Sequence, residues 1–306
     1  MGFGATAEQV GLIFVFMLLG LLAAKRAWIN DDAVTGMTNI LLNFVVPCVI
    51  ITAFQHPYSN DQLRDMGIAA VFDLAAFPVT IGLAYAVFRR CVSLDQQRAL
   101  RFGSVYSNSM FIGFPLVQAL LGTDGLFFAV IYSLAFNIFV WSHGYAMFPG
   151  DGTKVLRRVF SSTAIWAIII GLVLFLTRVQ LPGIVSEGLG YLGDMTAPLS
   201  MMIVGAGLAK VNWGALLRDR WLWAGVAMRN IAIPLLALLA LWAVPLPATA
   251  KLATLIPMAC PTAAFLVLFS VRSRSETQFP SSLVALSTVV SIVTVPAMVA
   301  LASAIW

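Results

Sequence analysis

The chain has 306 residues, of which 60% are hydrophobic and 10% charged, with a mean hydropathy of +0.94. Soluble domains carry roughly 25% charged residues, so the composition excludes a soluble globular protein. The net charge of +5 and pI near 9.4 do not describe a nucleic-acid-binding face, because the basic residues sit in short loops between apolar runs.

In chain order, apolar runs of membrane-crossing length fall at about 7–24, 33–55, 66–88, 98–122, 125–148, 156–178, 186–209, 219–243, 248–271 and 279–304. They predict ten helices with short connections and leave no room for a soluble domain. The first run has no basic residue before it and ends at Lys25-Arg26. A cleaved signal peptide is basic ahead of its apolar core, so this run is expected to be a retained first helix that starts outside. Cys48, Cys91 and Cys260 form an odd, unpatterned set and are expected to be small apolar residues.

Lysine and arginine then fix the orientation. With the amino terminus outside, the inner loops hold Lys25, Arg26, Arg89, Arg90, Arg98, Arg101, Lys154, Arg157, Arg158, Lys210, Arg218, Arg220, Arg272 and Arg274. The outer loops hold only Arg64, Arg178 and Lys251. Fourteen against three predicts both termini outside the cytoplasm of a bacterial inner membrane.

The two halves repeat a pattern. Asn43 precedes Pro47 by four residues, as Asp194 precedes Pro198. Asp73 precedes Pro78 by five, as Arg229 precedes Pro234. The fourth and ninth runs are both broken centrally, at Gly113-Phe114-Pro115 and at Pro257-Met258-Ala259-Cys260-Pro261. Ser133, Asn137 and Ile138 in the fifth run parallel Ser287, Ser291 and Ile292 in the tenth. Such order predicts repeat one at 1–150 and repeat two at 151–306. Five is odd, so the second repeat is expected to be inverted in the membrane.

Asn43-Phe-Val-Val-Pro47, Asn108-x4-Gly113-Phe114-Pro115-Leu116, Gly193-Asp194-x3-Pro198-Leu199 with Gly205-Ala206-Gly207-Leu208-Ala209, Arg229-x4-Pro234 and Cys260-Pro261-Thr-Ala-Ala264 follow one another along the chain. Together they resemble the auxin efflux carrier family, which includes plant auxin exporters and bacterial carriers of malonate, malate or related acids. The short loop at 149–155 is similar to the bacterial branch. The resemblance implies an all-α, bile-acid-symporter-like or NhaA-like fold, a five-plus-five inverted repeat with broken, crossing helices 4 and 9. It also implies scaffold helices at about 7–55 and 156–209, a moving core at about 66–148 and 219–304, and dimers formed through the scaffold. Phe265 departs from the family pattern, where a polar residue, often Asn, follows the second break.

A helix broken at membrane depth exposes backbone groups, each of which costs several kcal/mol in hydrocarbon unless buried in protein or facing a cavity. The half-helices expected to begin near Leu116 and Thr262 each offer unpaired N–H groups and about half a positive charge. Two such ends make an anion site around Gly113, Pro115, Pro257 and Pro261. Ser107, Asn108, Ser109, Ser133, Asn137, Thr262 and Ser287 add neutral hydrogen bonds. Asp73 and Arg229 fall near the bilayer centre at repeat-equivalent positions with opposite sign. They are expected to pair, in a structural or a coupling role. Asp194 is read as shallower and as a packing residue of the scaffold. His56 and His143 have no ligand spacing around them, Asp31-Asp32 reads as a helix cap, and Trp221, Trp223, Trp242 and Tyr58 suit an aromatic belt.

The leading expectation is a secondary transporter of a small organic anion, such as malonate, malate or an auxin-like acid, working by an elevator-type displacement. No cofactor, metal or nucleic acid is expected, no Walker motif is present, and coupling to a proton or sodium is left open. The alternatives are a cation–proton antiporter of similar fold, for which one carboxylate facing one arginine is a poor match, and a channel or sensor. An intramembrane enzyme would need a Ser/His, Asp/Asp or metal-ligand set that the runs do not supply.

Overall fold

The computed structural model describes residues 3–90, 93–148, 162–209 and 219–306, and among these the chain is helical apart from short connections. The loop at 149–155, the start of the predicted span at 156–178, Cys91, and the basic residues Lys154, Arg157, Arg158, Lys210 and Arg218 lie outside the described residues. The helices are α1 (Phe3–Lys25), α2 (Asp31–Ala53), α3 (Asn60–Val87), α4 (Leu94–Val105), α5 (Ser109–Gly144), α6 (Thr163–Thr177), α7 (Gly183–Asp194), α8 (Thr196–Leu208), α9 (Arg220–Trp242), α10 (Ala248–Ala259), α11 (Phe265–Arg272) and α12 (Gln278–Ile305). Five of them, α2, α3, α5, α9 and α12, are long and apolar enough to cross a membrane.

Three prolines inside these helices share one local solution. Proline has no N–H to give the preceding turn. Just before Pro47, Pro115 and Pro234 the helix widens by one residue into a π turn, at Leu41–Val45, Ser109–Gly113 and Met228–Ala232. The N–H of Val46, Phe114 and Ile233 then reaches back five residues to Leu41, Ser109 and Met228. The helix survives with a shifted register, and a widened turn of this kind is frequent at functional positions.

At 36 residues α5 would be about 54 Å long if straight, far more than a bilayer core. It is not straight. Gly122 sits at φ 64°, ψ −154°, a conformation that glycine adopts at little cost. The chain folds back there, so that the Ser107 hydroxyl meets the Tyr132 hydroxyl at 2.9 Å across 25 positions of sequence. The predicted fourth and fifth runs are therefore joined by one residue in a left-handed backbone conformation.

Two groups of helices emerge from the packing. α1 lies along α8, and α2 packs on α6 and α7. α3, α4, α5, α9, α10 and α12 pack on one another, with α5 against α10 as the largest contact among them. The start of α5 also touches α8, which joins the two groups. Asn30, and not Asp31 or Asp32, caps α2: its Oδ1 accepts the Ala33 N–H at 2.8 Å, and the two aspartates occupy the first turn, where negative charge suits the helix dipole.

Candidate functional site

Helices α4 and α10 both stop in the interior, where Val105 and Ala259 are nearly inaccessible, and the two interrupted segments cross. At the crossing, Ser107 and Thr262 form an antiparallel bridge. The Asn108 N–H donates to the Pro261 carbonyl at 2.7 Å, and the Ala263 N–H donates to the Tyr106 carbonyl at 2.9 Å. Backbone groups freed by each break are thus satisfied by the other, which is how irregular chain persists at membrane depth. Gly113 faces the other segment, where a Cβ would make ordinary van der Waals contact at 3.4 Å with both Cys260 Sγ and the Pro257 Cα.

Arg229 occupies the other side of the crossing. It is 1% exposed, and its guanidinium donates to the carbonyls of Cys260 (3.0 Å), Ser104 (3.0 Å), Val105 (3.1 Å) and Met258. Those carbonyls belong to the last turns of α4 and α10 and the residue after α10, where a helix leaves its C=O groups unpaired and carries partial negative charge. One planar cation with five donors therefore closes two helix C-termini at once. The expected pairing of Arg229 with Asp73 is not found. Asp73 is fully buried on α3, and neither of its carboxylate oxygens has a hydrogen-bond partner among the described residues. An arginine next to bare carbonyls is satisfied before it needs a carboxylate.

A second network locks the α10–α11 break to α9 and α12. The Thr262 N–H donates to Ser287 Oγ at 3.0 Å, and Ser287 Oγ donates to Asn230 Oδ1 at 2.7 Å. Asn230 Nδ2 donates to the Ser287 carbonyl at 2.9 Å, and Thr262 Oγ1 donates to the Gly103 carbonyl at 3.0 Å. Thr262 and Ser287 are thus consumed by structure. Asn230 was missed by the sequence reading, although an amide beside an intramembrane arginine was a readable signal. Replacing Ser287 with Ala should strand the Thr262 N–H and one face of Asn230, lowering stability by about 1–3 kcal/mol. The check is a reduced melting temperature of the purified protein in detergent.

The remaining predicted residues divide. Asn137 is buried, with its amide turned to the Ser133 carbonyl at 2.8 Å and its oxygen accepting from Ser162 at 3.4 Å. The hydroxyls of Ser104, Ser109, Ser133 and Thr254 are fully buried without partners, and the Asn108 side chain makes no hydrogen bond among the described residues. Ser109 and Asn108 stand at the start of α5, whose first three N–H groups have no intrahelical acceptor. This is the half-helix end that the sequence placed near Leu116, seven residues too late. Pro115 correspondingly does not mark the crossing. It lines a cavity of about 210 Å³ between α2, α5, α7 and α8, together with Thr52, Gln118, Thr123 and Asp194. Pro257 lies within α10, and Pro261 supplies the carbonyl at the crossing.

The second half-helix end differs from the first. Phe265 opens α11 in an aromatic cluster, 6.0 Å from Phe136, 5.6 Å from Trp141 and 5.9 Å from Phe269. The departure from polarity at this position therefore makes the two ends unlike, with the polar one at α5. Tyr106, a further residue the sequence did not flag, donates to the Phe139 carbonyl at 2.9 Å and meets His143 Nδ1 at 2.8 Å. His56 pairs with Asp124 at 2.9 Å. Cys48 and Cys260 are buried free thiols.

The crossed, interrupted segments lie in an apolar helical protein, and the proteins it is similar to are transporters. The family model described as membrane transport protein matches residues 5–158 and 152–299. The chain belongs to the auxin efflux carrier family. It is 23% identical over 301 residues to an uncharacterized transporter of Methanothermobacter thermautotrophicus, covering 96% of this chain and 97% of that one. It is also 22% identical over 223 residues to an uncharacterized transporter of Methanocaldococcus jannaschii, covering 68% of this chain and 72% of the other.

Proposed function

We propose that the protein is a secondary carrier of a small organic anion, with the anion's carboxylate received at the start of α5. The observation that carries this reading is the electrostatic balance at the crossing. Two helix C-termini, worth about half a negative charge each, face Arg229, and the two N-terminal ends, worth about half a positive charge each, have no charged partner among the described residues. The balance left for a ligand is positive; beside the polar end the Ser109 hydroxyl is buried without a partner and the Asn108 side chain makes no hydrogen bond among the described residues.

In this reading the chain crosses the membrane ten times as two inverted five-helix repeats, both termini outside. α1, α2, α6, α7 and α8 act as a scaffold, through which two copies associate. The remaining helices carry the crossing and move past the scaffold as one body, which is the elevator form of alternating access. Arg229 and the Asn230–Ser287–Thr262 network keep the crossing intact during that movement. Asp73, a buried carboxyl with no hydrogen-bond partner among the described residues, is the group we assign to a proton carried with the anion.

Purified protein in liposomes should take up labelled malonate, malate or indole-3-acetate saturably. Uptake should accelerate when unlabelled substrate is placed inside, which separates a carrier from a pore. Asn108→Ala should reduce apparent affinity about tenfold, the value of one charge-assisted hydrogen bond of about 1.4 kcal/mol. Uptake of none of the three acids, with or without proton and sodium gradients, would overturn the reading.

A further inference from the structure

Asp194 is the residue that the anion reading leaves unexplained. It is the last residue of α7, about 16 Å from Gly183 at 1.5 Å per residue, and its side chain is exposed. Asp194 makes no hydrogen bond or ion pair among the described residues, and it is the one charged residue among those lining the 210 Å³ cavity.

Asp194 is the last residue of α7 and α8 begins two residues later, so a helix C-terminus and a helix N-terminus meet beside the carboxylate and their partial charges oppose each other. Helix α8 starts again at Thr196, and Pro198 has no N–H to offer the Asp194 carbonyl four residues earlier. Thr196 Oγ1 turns back to the Gly193 carbonyl at 2.6 Å. Across the cavity stand neutral oxygens: the Thr52 hydroxyl, whose Oγ1 is buried without a partner, Gln118 and Thr123. Asp124, which follows Thr123, is held by His56 and does not line the cavity. The carboxylate and the neutral oxygens converge with no lysine, arginine or histidine among the lining residues.

We propose that Asp194 binds a monovalent positive charge in this cavity, with Thr52, Gln118 and Thr123 as neutral partners. The charge comes either from a sodium ion that accompanies the ligand or from an ammonium group on the ligand itself. The proposal rests on reading the cavity as part of the transport path, since it is bounded by α5 on one side and by α2, α7 and α8 on the other. It places a positive charge on the scaffold face opposite the half-helix that receives the carboxylate.

Melting temperature in detergent gives a readout that does not need transport. Wild-type protein should be stabilised by sodium chloride relative to choline chloride at equal ionic strength, or by 4-aminobutyrate relative to glutarate, which has a carboxylate where the first has its ammonium. Asp194→Asn should weaken that response at least tenfold in midpoint concentration, and Asp194→Glu should restore part of it. A lost sodium response assigns the inorganic ion, and a lost 4-aminobutyrate response assigns the ammonium. Wild-type protein indifferent to both, or Asp194→Asn responding like wild type, would overturn the proposal. If instead Asp194 behaves as described while liposomes take up no carboxylate, the anion reading fails and the cation site stands.

Discussion

Arg229→Met is expected to lower the stability of the protein by about 3–5 kcal/mol, the penalty for removing one side of a buried charged network. Methionine fills much of the same space, so the loss is one of donors and not of volume. The carbonyls of Ser104, Val105, Met258 and Cys260 would be left facing each other at the ends of α4 and α10, with two helix dipoles uncompensated. Lysine should recover only a minor part, because one ammonium offers three donors from a single point and cannot fork across four acceptors. At roughly 2–4 °C per kcal/mol for a chain of 150–250 residues, the melting temperature in detergent should fall by about 10 °C. Asp73→Asn is the companion measurement. If arginine and aspartate held each other, losing the carboxylate would be as harmful as losing the guanidinium. Since neither Asp73 oxygen has a hydrogen-bond partner among the described residues, Asn at this position should melt within about 2 °C of wild type. An Arg229→Met protein as stable as wild type, or an Asp73→Asn protein as damaged as it, would show that the crossing is held in some other way.

The difference between these two residues also shows where sequence reading stops. Charge in an apolar run is visible without coordinates, because its cost in hydrocarbon does not depend on the fold, and so Asp73, Arg229 and Asp194 all stood out. What each charge meets is set by helices far away in sequence. Arg229 finds carbonyls of residues 104, 105, 258 and 260, and no spacing rule links those positions. The breaks were legible for the same reason as the charges, since glycine and proline act through the local backbone. Their register was not: the π turn at Ser109–Gly113 absorbs the missing N–H of Pro115, so the helix begins at Ser109, seven residues before the expected start near Leu116. Hydroxyls were the least legible of all. Ser287 and Thr262 look like Ser109 and Ser133 in sequence, yet the first two are bonded into the α9–α12 network and the last two are buried without partners.

Gly205→Ala tests the other half of the molecule, where α1 and α8 run together. Without a membrane-type hydrophobic drive between helices, association depends on close packing, which small residues permit. A Cβ on Gly205 would overlap the Met17 carbonyl oxygen and lie 2.9 Å from the Leu21 N, and one on Gly20 would overlap the Met202 carbonyl oxygen. These are backbone atoms, so no rotamer can yield, and the helices themselves must separate. Overpacking in a close contact costs typically 1–3 kcal/mol where side chains can adjust, and the upper end of that range or beyond is expected here. Gly207, two residues along the same helix, is the internal control: a Cβ there meets nothing within 4 Å. Alanine at 207 should be neutral or stabilising by about 0.5–1 kcal/mol through helix propensity. The pair separates packing from propensity within one turn of one helix. Heating followed by size-exclusion chromatography should show Gly205→Ala losing its folded peak several degrees below wild type and Gly207→Ala at or above it. Equal behaviour of the two variants would mean that α1 and α8 do not touch backbone to backbone.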